Sequence, residues 1–230
     1  MKAVILAGGL GSRLKPFTEV IPKPLLPIGE KAILEIQIER LKKYDFDEIY
    51  LATNYKSDYI QNFFGDGSRF GVKLVISKEE MPLGTVGPVT LLRKELSEPF
   101  ILMNGDILSA IDYKKFYDFA IANPAMLTIA IKKLVTPFEF GNILFSGDFV
   151  TRIEEKPDLI NFILTGIYVM KPEIFSIIPQ NTYFGMDKLI ETMLHEKIPV
   201  AKYELHEYWL DIGRISDYNK AQETYKEYFT

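Results

Sequence analysis

The sequence predicts an α/β fold: a doubly wound, mostly parallel sheet with a mixed or antiparallel extension. Short apolar runs at Lys2 to Ala7, Glu48 to Thr53, Val72 to Ser77 and Phe100 to Met103 alternate with helix-period segments through the first half. Runs of this kind, apolar throughout, suit strands covered on both faces, and their alternation with helices indicates βαβ units. The second half changes character, which is the reason for the extension.

Each element has its own signal. Met1 to Gly9 carries one lysine and an apolar stretch too short for a signal peptide, ended by glycines, and reads as a buried strand. Ala32 to Lys43 reads as a helix, because Leu34, Ile38 and Leu41 fall at i, i+4 and i+7 while Glu35, Glu39 and Lys42 point elsewhere. Met126 to Lys132 and Asn142 to Glu154 are strand-like, the latter broken by Ser146-Gly147-Asp148 as a hairpin turn, and Leu164 to Met170 follows. No repeat, low-complexity tract or linker interrupts the chain, and its 13 prolines are scattered. One domain over residues 1–230 is therefore expected.

Composition narrows the function classes. With 230 residues and 47% hydrophobic content the chain can bury a sizeable core. A net charge of −4 gives no field that would draw it to nucleic acid or anionic lipid, so an anionic ligand needs a local cluster of cations. The absence of cysteine excludes disulfides, thiolate metal sites and a cysteine nucleophile. Charged or polar residues interrupt every apolar stretch before the ~20 residues of a membrane span. A soluble, cytoplasmic protein is expected.

Leu6-Ala7-Gly8-Gly9-Leu10-Gly11-Ser12-Arg13-Leu14 stands where the first strand should end. Its glycines let backbone N–H groups approach an anion, and ligands of open α/β sheets lie beyond the carboxyl ends of strands. It is neither a dinucleotide fingerprint, since Leu14 holds the third glycine position, nor a P-loop, since no Gly-Lys-Ser/Thr closes it. Arg13 adds a permanent cation suited to triphosphate oxygens. Further on, prolines on both sides of Lys23 restrict the backbone that carries its ammonium.

Gly-Gly-x-Gly-x-Arg-Leu-x-Pro-x-Thr followed by Pro-Lys-Pro resembles the signature of the sugar-1-phosphate nucleotidyltransferases, and later motifs follow in that family's order across essentially the whole chain. The resemblance implies a Rossmann-like domain in which Arg13 and Lys23 are catalytic, binding and activating the phosphates. The loop residues Leu6, Ala7, Gly8, Gly9 and Gly11 would bind the nucleotide. Asp106, in Leu102-Met103-Asn104-Gly105-Asp106, and Asp211, in Trp209-Leu210-Asp211-Ile212-Gly213, match the family's metal ligands, with Mg²⁺ as the implied cofactor. Glu155 and Lys156, in Glu154-Glu155-Lys156-Pro157, match its sugar-phosphate motif, and Gly141 and Thr165 match places lining the sugar pocket. Thr165 departs from the asparagine that many members carry.

Ile76 to Pro88 resembles the family's base-recognition loop, with Glu79, Glu80, Pro82, Gly84 and Thr85 as candidate contacts. Thymidylyl members generally carry glutamine near Glu79 and Glu80. A carboxylate offers only acceptors, and guanine presents adjacent N1 and N2 donors, so GTP is the expected nucleotide. The pattern is nearest that of mannose-1-phosphate guanylyltransferases, from which Met81 and Val86 depart.

The expected reaction is in-line attack of a sugar 1-phosphate oxygen on the NTP α-phosphorus, releasing pyrophosphate. Three other readings stay open. A glycosyltransferase is disfavoured because Asn104-Gly105-Asp106 is not Asp-x-Asp. A cytidylyltransferase of a non-sugar phosphate is closer in chemistry, and a nucleotide-sugar-binding regulatory subunit is the non-enzymatic reading. The sugar is left open among mannose, a heptose and glucose, and the assembly as monomer or homodimer.

Overall fold

The computed structural model describes residues 1–230. In chain order the elements are β1 (Lys2–Leu6), α1 (Phe17–Val20), β2 (Pro27–Ile28), β3 (Lys31–Ala32), α2 (Ile33–Lys42), β4 (Glu48–Thr53), α3 (Ser57–Phe64) and β5 (Lys73–Lys78). There follow β6 (Phe100–Asn104), β7 (Ile107–Ser109), α4 (Tyr113–Ala122), β8 (Leu127–Pro137), β9 (Asn142–Ser146), β10 (Phe149–Glu154) and β11 (Asp158–Met170). The chain finishes with α5 (Met186–His195), β12 (Val200–Glu204), β13 (Trp209–Asp211) and α6 (Ile215–Tyr228).

Seven strands form the central sheet in the order β12-β8-β11-β6-β1-β4-β5. β1 pairs in parallel with β4 and β6, β4 with β5, and β8 with β12. β11 alone runs against its neighbours β6 and β8. The antiparallel extension expected from the second half is thus one reversed strand inserted into an otherwise parallel sheet.

The reason the strands read as unbroken apolar runs lies in which face each residue meets. Successive side chains of a strand point to opposite faces. Ala3 and Ile5 belong to one buried cluster and Val4 to another, and Ile49 and Leu51 are divided from Tyr50 and Ala52 in the same way. Both faces are covered, by α2 among others on one side and by α5 on the other, so both sets of positions are buried and mostly apolar. Each fully buried Ile or Leu contributes roughly 1.5–3 kcal/mol relative to exposure. A third cluster joins Leu14, Leu26, Ile33, Leu210 and Ile212 to Tyr225 of α6, and holds the loops after β1 and β13 against each other.

α2 runs one residue shorter at each end than its periodicity suggested, and Leu34, Ile38 and Leu41 are all fully buried as expected. The hairpin turn falls at Gly147-Asp148, with Gly147 at φ +58, the left-handed conformation such a tight loop requires. β8 and β11 extend much further than the runs 126–132 and 164–170. Their outer halves pair with each other, Asp158 with Pro137 through Leu164 with Ile131, as a two-stranded arm beyond the core.

Candidate active site

Beyond the carboxyl end of β1 the chain turns through a loop in which Gly8 and Gly11 are demanded by their neighbours, while a Cβ on Gly9 would meet nothing. A Cβ on Gly8 would stand 2.9 Å from the Asn54 backbone nitrogen and 3.4 Å from Glu79 Oε1. Gly11 takes φ +62, and a Cβ there would meet Thr18 Cγ2 at 2.8 Å. The Thr18 hydroxyl donates to the Gly11 carbonyl at 2.8 Å, and the Leu14 N–H donates to the same oxygen at 2.9 Å. Leu14 is thereby buried while Gly9 and Leu10 stay exposed at the rim.

The loop opens onto a cavity of about 420 Å³ at the carboxyl ends of β1, β4, β5 and β6, where open α/β sheets place their ligands. Its wall takes Leu6, Gly8, Gly9 and Leu10 from the first loop, Ala52 and Asn54 from the end of β4, and Asn104 and Asp106 from the end of β6. Glu79, Pro82, Gly84, Thr85 and Tyr183 complete it. Seven of the expected nucleotide residues are therefore on one wall, while Ala7 and Gly11 shape the loop from behind.

Of the two adjacent glutamates only Glu79 faces this cavity. Its Oε2 accepts from the Leu83 N–H at 2.9 Å, leaving Oε1 beside Gly8, and burial pushes its carboxyl above the usual range. Glu80 is exposed and lines a different hollow with Lys78, Met81 and Asn181, so the expectation of a contact from Glu80 is corrected. β5 ends at Lys78 and the chain bends at Glu80, so the two neighbours face different sides. The loop from Leu83 to Gly87 is fixed from outside. Val86 and Gly87 N–H groups both donate to the Phe184 carbonyl, Phe184 N–H donates to Leu83, and Met186 N–H donates to the Thr85 hydroxyl at 2.8 Å. Those bonds bring Tyr183 to the wall.

The distant aspartates are joined by a short sheet. β7 and β13 pair antiparallel with Asp211 opposite Ile107, and the Ile212 N–H donates to the Asp106 carbonyl at 3.0 Å. Lys23, only 8% exposed, places its Nζ 2.5 Å from Asp106 Oδ2. Burial, and next the charge of Asp106, hold the Asp211 carboxyl above its usual range against the pull of Lys23 and Arg13. The Arg13 guanidinium lies beside Gly213, where a Cβ would sit 3.4 Å from Nη1. Asp106 Oδ1 and Asp211 Oδ1 are both buried without a hydrogen-bond partner. Two orphaned carboxylate oxygens suit a hard cation, and one or two protein carboxylates are what Mg²⁺ takes when substrate phosphates supply further oxygens.

Gln37, Asn54, Asn104 and Tyr183 were not among the expected site residues. Gln37, buried on α2, donates from Nε2 to the carbonyls of Asn104 at 3.0 Å and Ile107 at 2.7 Å, which bracket Asp106. Gln37→Leu should leave both carbonyls unpaired and cost about 1–3 kcal/mol. That corresponds to a melting point several degrees lower for a chain of this size, at ~2–4 °C per kcal/mol, which scanning calorimetry would read.

The residues expected on the sugar side lie outside this wall. Gly141 and Glu155 flank the two ends of the β9–β10 hairpin and face each other, a Cβ on Gly141 falling 3.4 Å from Glu155 Oε2. Lys156 is exposed and takes φ +44, an uncommon backbone for a long side chain, at the turn into β11. Thr165 differs from expectation. It is fully buried, its hydroxyl donates to the Ala130 carbonyl at 2.8 Å and its own carbonyl accepts from the Trp209 indole, so the side chain serves the sheet rather than a ligand. No helix of the protein is long and apolar enough to cross a membrane.

With this geometry in place, comparison with known proteins is informative. The chain is 35% identical over 231 residues to mannose-1-phosphate guanylyltransferase 1 of Arabidopsis thaliana, covering 95% of this chain and 63% of that one. It is 33% identical over 226 residues to the mannose-1-phosphate guanylyltransferase catalytic subunit beta of Danio rerio, covering 95% and 62%. The chain thus spans somewhat under two thirds of the length of these relatives. Among solved structures, HddC from Yersinia pseudotuberculosis complexed with GMP-PN superposes with a TM-score of 0.75 at 30% identity, covering 97% of this chain and 99% of that one. The family model for nucleotidyl transferases matches residues 2–228, and the chain belongs to that family.

Proposed function

We propose that this chain transfers GMP from GTP to a sugar 1-phosphate, forming a GDP-sugar and pyrophosphate. The observation that carries the reading is the single cavity that collects the glycine loop, the buried Glu79 and Asp106 at the carboxyl ends of adjacent strands. The two guanylyltransferase relatives and the HddC complex with GMP-PN support the choice of base and of reaction.

The nucleophile, a sugar phosphate oxygen, is already anionic, so the chain has no need of a general base or a covalent intermediate. Its task is positioning and charge neutralisation. Lys23 spends one N–H on Asp106 and keeps two donors for a phosphate oxygen. Arg13, whose guanidinium lies beside Gly213, presents its fork to the triphosphate. Glu79 Oε1 accepts from the guanine edge at the far end of the cavity, and Glu155 and Lys156 hold the sugar phosphate from the side of the hairpin. Asp106 and Asp211 would hold Mg²⁺, which supplies further neutralisation of the phosphates.

The test crosses ATP, GTP, CTP, UTP and dTTP with hexose and heptose 1-phosphates, including mannose 1-phosphate, and measures pyrophosphate release in Mg²⁺. Release with GTP and a sugar 1-phosphate is expected. Release confined to UTP, CTP or dTTP keeps the reaction and removes the base assignment. Release with no sugar phosphate turns the reading towards a non-sugar acceptor or a binding subunit.

A further inference from the structure

Tyr183 is 67% exposed, yet it stands on the wall of the cavity that also takes Gly8, Glu79 and Asp106. Its neighbour Phe184 turns inward and packs against the core cluster that includes α5. A large ring left bare on a concave wall offers a face for a ligand to cover, and ligand pockets are lined mainly by groups of this kind.

The backbone under this ring is held more closely than a surface tyrosine requires. Gly84 takes φ +81, and a Cβ there would fall 2.7 Å from the Phe184 carbonyl oxygen. A Cβ on Gly87 would fall 2.6 Å from the Thr182 carbonyl oxygen. Two glycines thus let the chain on both sides of Tyr183 close against the loop from Leu83 to Gly87. The Phe184 N–H donates to the Leu83 carbonyl at 2.9 Å, and the Leu83 N–H donates to Glu79 Oε2 at 2.9 Å. The tyrosine is therefore tied, through Phe184 and Leu83, to the carboxylate assigned to the base edge. Gly141, Glu155 and Lys156, expected on the sugar side, lie outside this wall.

We infer that Tyr183 binds the nucleotide by stacking its ring on the face of the base whose edge meets Glu79. The inference rests on the reading that this cavity takes the NTP. The two residues then divide the work. Glu79 selects a base by the donors and acceptors on its edge, whereas Tyr183 adds affinity for any base, because every base has a π-face. A tyrosine fixes only two side-chain torsions in doing so, and gives contact area at small entropic cost. The contact is made by the ring and does not need the phenol hydroxyl.

Titration calorimetry of GTP into the whole chain, with Mg²⁺ and without a sugar 1-phosphate, measures this contact before transfer can occur. Tyr183→Ala should weaken GTP binding about 5- to 150-fold, the scale of one base on one ring. It should weaken ATP by the same factor, so that the preference between the two stays as in the wild type. Tyr183→Phe should restore the wild-type affinity. Tripolyphosphate, which has no base, should bind equally to all three proteins, and their melting points should agree because the side chain is exposed. An unchanged GTP affinity in Tyr183→Ala would overturn the inference, and a raised KM for the sugar 1-phosphate in its place would put the ring over the sugar. A loss in Tyr183→Phe equal to that in Tyr183→Ala would assign the effect to the hydroxyl, and an equal loss of tripolyphosphate would assign it to a displaced loop; either result overturns the stacking. If the wild type binds a pyrimidine NTP in preference to GTP, the base assignment falls, and the same comparison made with that nucleotide decides on Tyr183.

Discussion

Asp106→Asn should lower turnover by about two to three orders of magnitude or more, the scale of losing one preorganised electrostatic group at a reacting phosphate. Asparagine matches aspartate in size, so the turn between β6 and β7, the bonds from Gln37 and the β7–β13 pair all have reason to persist. What changes is charge. Lys23 is left nearly buried beside an amide, and Asp106 Oδ1, now without a hydrogen-bond partner, loses its anionic character. The neutral oxygen can still accept from Lys23, so the expected loss of stability is modest, about 1–3 kcal/mol. Binding of Mn²⁺ in place of Mg²⁺, followed by electron paramagnetic resonance on the variant without nucleotide, separates lost metal affinity from lost folding. Normal Mg²⁺-dependent turnover in Asp106→Asn would remove Asp106 from the metal site.

The parts of the fold that were legible are those where one physical demand acts along a whole element. β4 was read at its observed bounds because both of its faces are buried, so every residue from Ile49 to Thr53 obeys the same rule. α6 shows the converse. Only Ala221 and Tyr225 of its 14 residues are buried, and so thin a stripe leaves little periodicity to find. β13 is three residues long, and its role comes from pairing with β7, a contact between distant segments that no local pattern encodes.

The site divides along the same line. Gly8 and Gly11 could be read because a crowded backbone admits only glycine, and Lys23 because prolines fence it. Asn54 and Tyr183 carry no such mark: each is an ordinary polar residue beyond an element, brought to the wall by the parallel β1–β4 pairing or by the Phe184 bonds. The end of β4, as the neighbour of β1 on a doubly wound sheet, was the one available hint for Asn54. Glu79 and Glu80 are chemically identical in the sequence, and only the direction of the chain after β5 distinguishes them.

That distinction sets the second large effect. Glu79→Gln should raise the KM for GTP about 10- to 100-fold, the worth of a hydrogen bond from a donor pair to a charged acceptor at ~1.5–3 kcal/mol. Glutamine can still accept from Leu83 N–H, so the loop remains closed, but its NH₂ meets donors on guanine and acceptors on a pyrimidine imide, and relative use of dTTP or UTP should rise. Proton linkage gives an independent readout. Burial raises the Glu79 carboxyl above its ordinary value, so the folded state binds this proton more tightly than the unfolded chain does. Its contribution to stability is fully present below the ordinary glutamate range and is lost as pH rises through the raised value. GTP affinity runs the opposite way, since guanine donors need the carboxylate, and it should fall as pH drops through that same raised value. Glu79→Gln should abolish both dependences, keep or raise the melting point at neutral pH, and leave the KM for GTP flat across mildly acidic pH. A wild-type KM for GTP that is equally flat there, with unchanged base preference in Glu79→Gln, would place guanine recognition elsewhere on the cavity wall.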